Sequence, residues 1–170
     1  LTESIRNASR EEMRRSIETA ARLKPLKVVV HPSVVSGLAA LRPMLVSAHA
    51  RDALSEVVQT CQRAGLTPCL ENMFPRYGAF VSAGQFNEAF QSFSSLKLTL
   101  DTGHANIACD DDNRANAFLT DHAARLGHLH ISDNHGQRDD HLPVGQGSIP
   151  YAALIRALRN LGYDGTLTLE

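Results

Sequence analysis

Charge of either sign is not in excess, aromatic residues are few, and no hydrophobic run is long. Lys and Arg number 17 against 18 Asp and Glu, a formal net charge of −1. With no basic run and aromatics at 5%, the chain lacks the phosphate-neutralising, base-stacking surface that tight nucleic-acid binding draws on. No apolar stretch approaches the roughly 18–20 residues of a membrane helix, and no secretory signal pattern opens the chain. Cysteine is limited to Cys61, Cys69 and Cys109, an odd set without a CxxC pair. A reduced, cytoplasmic setting is the simpler expectation. Internal repeats and low-complexity linkers are also missing. The 170 residues, 43% hydrophobic and 21% charged, suffice for a single globular domain with its own core.

Histidine is plentiful by contrast. There are eight, and most fall between His104 and His141. Five short runs have strand length and are rich in Val, Leu, Ile or Thr: 27–31, 67–71, 97–101, 128–132 and 166–170. Pro68 is the awkward residue, because it removes a ladder donor near the start of a strand. Helical patterns lie between the runs. Ser9 with Glu12 reads as a capping box opening a helix to Leu23. Leu54, Val57, Val58 and Cys61 give 49–64 a helical stripe, with Gly65 as its stop. Residues 86–93 and 113–126 are further candidates, and Pro150 suits the first turn of a helix over 151–161. Strand and helix alternate, which predicts an α/β fold of parallel strands with crossover helices.

Strand parity sharpens this expectation, since successive side chains face opposite ways. Val28, Val30, Leu98, Leu100, Leu129, Ile131, Leu167 and Leu169 share one face. The other carries Val29, Cys69, Thr99, His128, His130 and Thr168, and closes with His31, Glu71, Asp101 and Glu170 at the strand ends. An open doubly wound sheet would be apolar on both faces. One apolar and one polar face suits a TIM (β/α)8 barrel, with its active rim at the C-terminal strand ends. A full barrel takes about 250 residues, so the expectation is a truncated portion with about the last five strands, residues 1–170 being one domain. Left open, such a sheet would carry two unsatisfied edges.

The rim residues His31, Glu71, Asp101, His104, His130, Asp139, His141 and Glu170 are all carboxylates or imidazoles, ligand types for divalent transition metals. Carboxylates converging on one rim would repel unless a cation neutralised them. Chance does not readily place an acid or a histidine at the last inward position of four separate strands. His49 and His122, on helices, read as surface or cap residues. Asp121, Asp164 and the run Asp110 to Asp112 read as solvated loop or cap positions.

The segments VVVHPS, CLENMF, LTLDTGHANIA, HLHISDNHGQRDDHLPVGQGSI and LTLE, taken in order, resemble the superfamily of xylose-isomerase-like TIM barrels. That superfamily includes sugar-phosphate isomerases and epimerases and the endonuclease IV family. The resemblance covers essentially the whole chain and implies strands four to eight of the barrel. It implies a divalent metal (Mn, Zn, Mg or Co) held by Glu71, Asp101, His130 and Glu170. In the isomerase and epimerase branch, Glu71 and Glu170 would also be the catalytic acid/base pair, His104 would help hold the substrate, and Arg138 lies close to the place of a substrate-binding arginine. In the endonuclease branch, His31 matches a ligand of a further zinc, and His104, Asp139 and His141 match ligands of a third. Two departures from the family pattern are Gly145-Gln146-Gly147 in place of Gly-Glu-Gly, and His31-Pro-Ser in place of His-Pro-Gly.

Three functions follow as expectations. The first is a metal-dependent isomerase or epimerase of a small-molecule sugar or sugar phosphate, with no membrane partner and with room for a homo-oligomer. In it the metal would acidify the C–H between two bound oxygens, one glutamate would take the proton and the other would return it. The second is abasic-site phosphodiester cleavage by three zincs, which the charge balance disfavours. The third is a non-catalytic fragment.

Overall fold

The five expected strands all form, and they lie side by side in chain order. The computed structural model describes residues 3–32, 41–108 and 114–170. Its elements are α1 (Glu3–Arg22), β1 (Lys27–Val30), α2 (Pro43–Arg63), β2 (Thr67–Glu71), α3 (Asn87–Ser92), β3 (Lys97–Asp101), α4 (Thr102–Asn106), α5 (Arg114–His122), β4 (Leu126–Ile131), α6 (Tyr151–Asn160) and β5 (Thr166–Leu169). The sheet order is β1-β2-β3-β4-β5 and every pairing is parallel. The result is a half-barrel of five strands backed by helices, an α/β portion of a TIM barrel. Cys109, Asp110 to Asp112 and the first residue of the expected 113–126 helix lie outside the described residues.

Parity works as the pattern predicts on β1 to β4. Val30, Leu98, Leu100, Leu129 and Ile131 turn outward and are buried under the helices. They meet Ile17 of α1, Leu54, Val57, Val58 and Cys61 of α2, Phe118 and Leu119 of α5, and Leu154 of α6. Phe86 is fully buried at the hub of this layer, with Phe80, Phe90 and Phe118 ring centroids 5.1, 5.5 and 5.7 Å away. On β5 the outward Leu167 and Leu169 are exposed, because no helix among the described residues covers them. The inward face carries Cys69, Thr99, His128 and His130, all buried. Pro68 is accommodated near the start of β2, opposite Val28.

Three local expectations need correction. Ser9 is not a cap. Helix α1 starts six residues earlier, and the Ser9 hydroxyl bonds back to the Ile5 carbonyl at 3.0 Å, as a mid-helix serine does. A true cap-side contact lies elsewhere: the Gln85 side chain accepts from the Ser82 backbone N–H at 3.1 Å, ahead of α3. His122 is not on the surface. Its ring is buried 5.0 Å from the Phe90 ring, and Nε2 donates to the Ala83 carbonyl at 2.7 Å. Pro150 precedes α6 as its N-cap instead of entering the first turn.

Phe86→Ala is expected to cost about 3–5 kcal/mol of stability, the usual range for emptying a buried phenylalanine site. Urea unfolding of the variant measures it, and a loss under about 1 kcal/mol would contradict the hub role.

Candidate metal centre

Backbone register brings four strand ends to one rim. Asp101 is the Cα partner of His130, His130 is the partner of Thr168, and the Glu170 N–H donates to the Ile131 carbonyl at 3.1 Å. Glu71 closes β2 beside Thr99 of β3. The next residue, Asn72, binds both backbone polar groups of Asp101 through its side-chain amide. Asp101 ends β3 and caps α4 at once, its Oδ1 accepting from the His104 N–H at 2.6 Å. That cap folds the Asp-Thr-Gly-His run into a short helix where the sequence suggested only a turn, and it turns the His104 ring back over the strand ends.

The side chains then meet around one nitrogen. His130 Nδ1 lies 3.1 Å from Glu170 Oε1, 3.5 Å from Glu71 Oε1 and 3.7 Å from Asp101 Oδ2. Both His130 Nδ1 and Asp101 Oδ2 are buried without a hydrogen-bond partner. Ligand atoms held tetrahedrally about 2.1 Å from one divalent ion lie about 3.4 Å from one another. The observed separations bracket that value. Glu71, Asp101 and His130 satisfy the distance requirement for a shared ion as a buried triple, with Glu170 alongside. The residues therefore fit a divalent cation, both in donor chemistry and in their unpartnered atoms.

A second set adjoins the first. His31, Glu71 and His104 can also bring one donor atom each to a common ion. The His104 Nδ1 lies 3.2 Å from Glu71 Oε1, and its Nε2 lies 3.4 Å from Asp139 Oδ2. That same Asp139 oxygen is 3.2 Å from His141 Nε2, while Asp139 Oδ1 is buried without a partner. His141 is held at a φ of 47°, a left-handed conformation uncommon for a residue with a side chain. Arg138, next to Asp139 in the chain, has no recorded contact with the rim side chains among the described residues. Its side chain is 83% exposed and its nearest charge is Asp140 Oδ1 at 3.6 Å.

Charge and burial compete within the cluster. Burial would raise the Glu71 carboxyl, but the His104 and His130 imidazoles outweigh it and hold it at about 2. Burial dominates at Asp101 and pushes it up to about 6 despite His104. Burial also opposes charge on His104, yet the Glu71 and Asp101 carboxylates raise it to about 9. His130 is raised as well, with burial overcome by Glu71, Glu170 and Asp101.

Spacing alone offered no sign of the residues that hold this arrangement in place. The loop carrying Asp139 and His141 is tied down by Asp133 and Asn134, both fully buried. Asp133 exchanges two backbone hydrogen bonds of 2.8 Å with Leu142, and its carboxylate accepts from the N–H groups of Asn134, Gly145 and Ile149. Asn134 bridges Gly103, Gly136 and Asn106. Gly147 is required here, because a Cβ would stand 2.2 Å from Asp133 Oδ1 and 2.4 Å from the Asn134 carbonyl. Tyr151 donates to the Ser132 carbonyl at 2.6 Å and contacts Thr102 Oγ1 at 2.9 Å, which fixes the start of α6 against β4. Beside the second set, Phe74 and Tyr77 form an aromatic edge, their rings 5.1 Å from His104 and 5.3 Å from His31.

Parallel strands whose C-terminal ends gather acids and imidazoles around one point define a TIM-barrel scaffold with a candidate metal centre on its rim. The chain belongs to the xylose isomerase-like TIM barrel family, whose sequence model matches residues 1–170. It is 30% identical over 177 residues to an uncharacterized protein of Methanocaldococcus jannaschii, a match covering 100% of this chain and 59% of that protein. It is 31% identical over 124 residues to the D-psicose 3-epimerase of Ruminiclostridium cellulolyticum, covering 70% of this chain and 39% of that enzyme. The crystal structure of a D-tagatose 3-epimerase-like protein superposes with a TM-score of 0.87 at 29% identity, over 100% of this chain and 64% of that one. The chain thus spans less than two thirds of the length of these relatives. No helix among the described residues is long and apolar enough to cross a membrane.

The raised histidines set the pH response of the metal-free protein. His104 folds with a pKa of about 9, above the roughly 6.5 of a free imidazole, so its stabilisation is complete below about pH 6.5 and is lost as pH rises through 9. Scanning calorimetry in the presence of a chelator should show the melting temperature falling across that interval. Zn2+ affinity should rise over the same interval, because ion and proton compete for these groups. A melting temperature that stays flat or climbs would contradict the charge assignment.

Proposed function

We propose that this chain carries the metal-binding and acid/base half of a sugar or sugar-phosphate isomerase or epimerase. The observation that carries this reading is the approach of Glu71, Asp101 and Glu170 to the unpartnered His130 Nδ1 within 3.7 Å. Sugar 3-epimerases among the relatives support the substrate class. We place residues 1–170 as strands four to eight of one barrel domain, in keeping with the greater length of those relatives. A reducing, cytoplasmic setting agrees with Cys61 and Cys69, both free and buried, with thiols pushed by burial up to about 11.

Glu71, Asp101, His130 and Glu170 would hold the divalent ion. When bound, that ion supplies Lewis acidity toward the substrate oxygens, which acidifies the C–H bond beside them. Everything else falls to side chains. Glu71 and Glu170 stand on β2 and just after β5, on opposite flanks of His130, so a sugar carbon over that ring has one carboxylate to each side. One takes its proton and the other returns a proton to the opposite face, which inverts the centre. His104 orients a substrate hydroxyl with the ring nitrogen turned toward Asp139. Phe74 and Tyr77 present apolar ring faces to the C–H face of the sugar and keep water from that side. Arg138, exposed and paired to Asp140, would offer its guanidinium to a substrate phosphate.

A second reading rests on a different observation. Asp139 Oδ2 lies between His104 Nε2 and His141 Nε2, an arrangement that a one-ion epimerase does not require. It suits a three-ion phosphodiesterase.

Glu71→Gln and Glu170→Gln should each lower turnover of ketohexoses and their phosphates by about 100- to 10,000-fold, the usual worth of a general acid or base. Circular dichroism should be unchanged, and turnover within a few-fold of the parent in either variant would refute the pair. Asp139→Ala separates the two readings. It should cost little in an epimerase binding about one ion per chain, and nearly all activity in a phosphodiesterase binding about three.

A further inference from the structure

Asn72 is the fully buried residue that follows Glu71, and every polar group it owns is committed. Its N–H donates to the Thr99 carbonyl at 3.3 Å. Its side-chain oxygen accepts from the Asp101 N–H at 2.7 Å, and its side-chain NH2 donates to the Asp101 carbonyl at 3.0 Å. Its own carbonyl faces His104 Nδ1 at 2.9 Å. The β2–β3 pairing ends at Glu71 opposite Thr99, so beyond that point the side-chain amide takes the place of a strand residue and continues the ladder.

Two consequences follow. The backbones that carry Glu71 and Asp101 are locked to each other one residue from each carboxylate, across a gap where two parallel strands would otherwise be free to splay. A carbonyl can only accept, so the proton of this hydrogen bond sits on His104 Nδ1. The nitrogen left to act is Nε2, which is turned toward Asp139 Oδ2 at 3.4 Å.

We propose that Asn72 is a positioning residue that sets the separation of the Glu71 and Asp101 carboxylates and fixes which ring nitrogen His104 presents. Neither strand parity nor motif spacing marks it, and it touches neither ion nor substrate. The proposal deepens the metal-centre reading and rests on it for the ion, but not for the ring proton.

Two measurements test it on this chain. In 15N-histidine-labelled protein, metal-free and zinc-loaded, an exchange-protected ring N–H should appear on His104 Nδ1, assigned by its loss in His104→Gln. It should lose protection in Asn72→Ala. A wild-type His104 Nδ1 that carries no protected proton, or protection that survives Asn72→Ala, overturns the proposal. Zn2+ titration of folded Asn72→Ala should show affinity about 10- to 100-fold below wild type, the usual cost of removing a group that orients a ligand. A purely structural asparagine would lower the melting temperature and leave affinity within two-fold, which also overturns it. Should Asn72→Ala not fold, Asn72→Asp takes its place. It keeps the acceptor for the Asp101 N–H and loses the donor to the Asp101 carbonyl, and the same weakening and loss of protection are expected. A wild-type chain that binds no Zn2+ would sink the metal-centre reading, while the ring-proton result would still decide for or against Asn72.

Discussion

Three carboxylates, the buried Glu71 and Asp101 and the more exposed Glu170, converge on one imidazole nitrogen at the ends of parallel strands. Such a cluster cannot be justified by folding stability. Buried like charges repel, and burying an ionised carboxylate without full hydrogen bonding costs free energy. The lift of Asp101 to about 6 is the direct signature of that cost. Partial compensation comes from His104 and His130, both raised by the same carboxylates. The arrangement is a stored tension that a divalent cation would relieve, in keeping with the tendency of functional sites to be strained.

The rest of the described fold supplies the rigidity that this tension demands. Parallel pairing in strict chain order fixes the strand ends within one rim. The Phe86 layer and the helices cover the outer face of β1 to β4, which holds the strand ends that carry Glu71, Asp101 and His130 together. At the rim itself, side-chain amides and carboxylates replace regular ladder contacts. Asn72 does so between β2 and β3, and Asp133 with Asn134 does so beneath the loop that follows β4. Tyr151 then links that loop's far end to β4 through Ser132 and Thr102.

The fold and the gathering of acids and histidines at one rim were largely legible in the sequence, for a physical reason. A period of two on a buried sheet forces apolar residues to one side, so acids and histidines on the other side stand out at Glu71, Asp101, His130 and Glu170. The supporting contacts were not legible. Asn72, Asp133 and Asn134 act through hydrogen bonds to backbone atoms distant in sequence, which leaves no periodic trace. Ser9 carried the local signature of a helix cap, but the residues before it continue the helix and tertiary context overrode the motif. His122 looked like a surface histidine because its partner, the Ala83 carbonyl, comes from a distant turn. Asp101 did offer a usable signal: an aspartate three residues before His104 is a helix N-cap pattern as well as a ligand pattern.

A crystal of this chain soaked in Mn2+, with data collected at the manganese edge, addresses the central claim most directly. The account predicts a strong anomalous peak bounded by the Glu71, Asp101 and Glu170 carboxylates and by His130 Nδ1, at about 2.0–2.2 Å from each. A rim without such a peak, its three acids splayed apart or protonated, would contradict it.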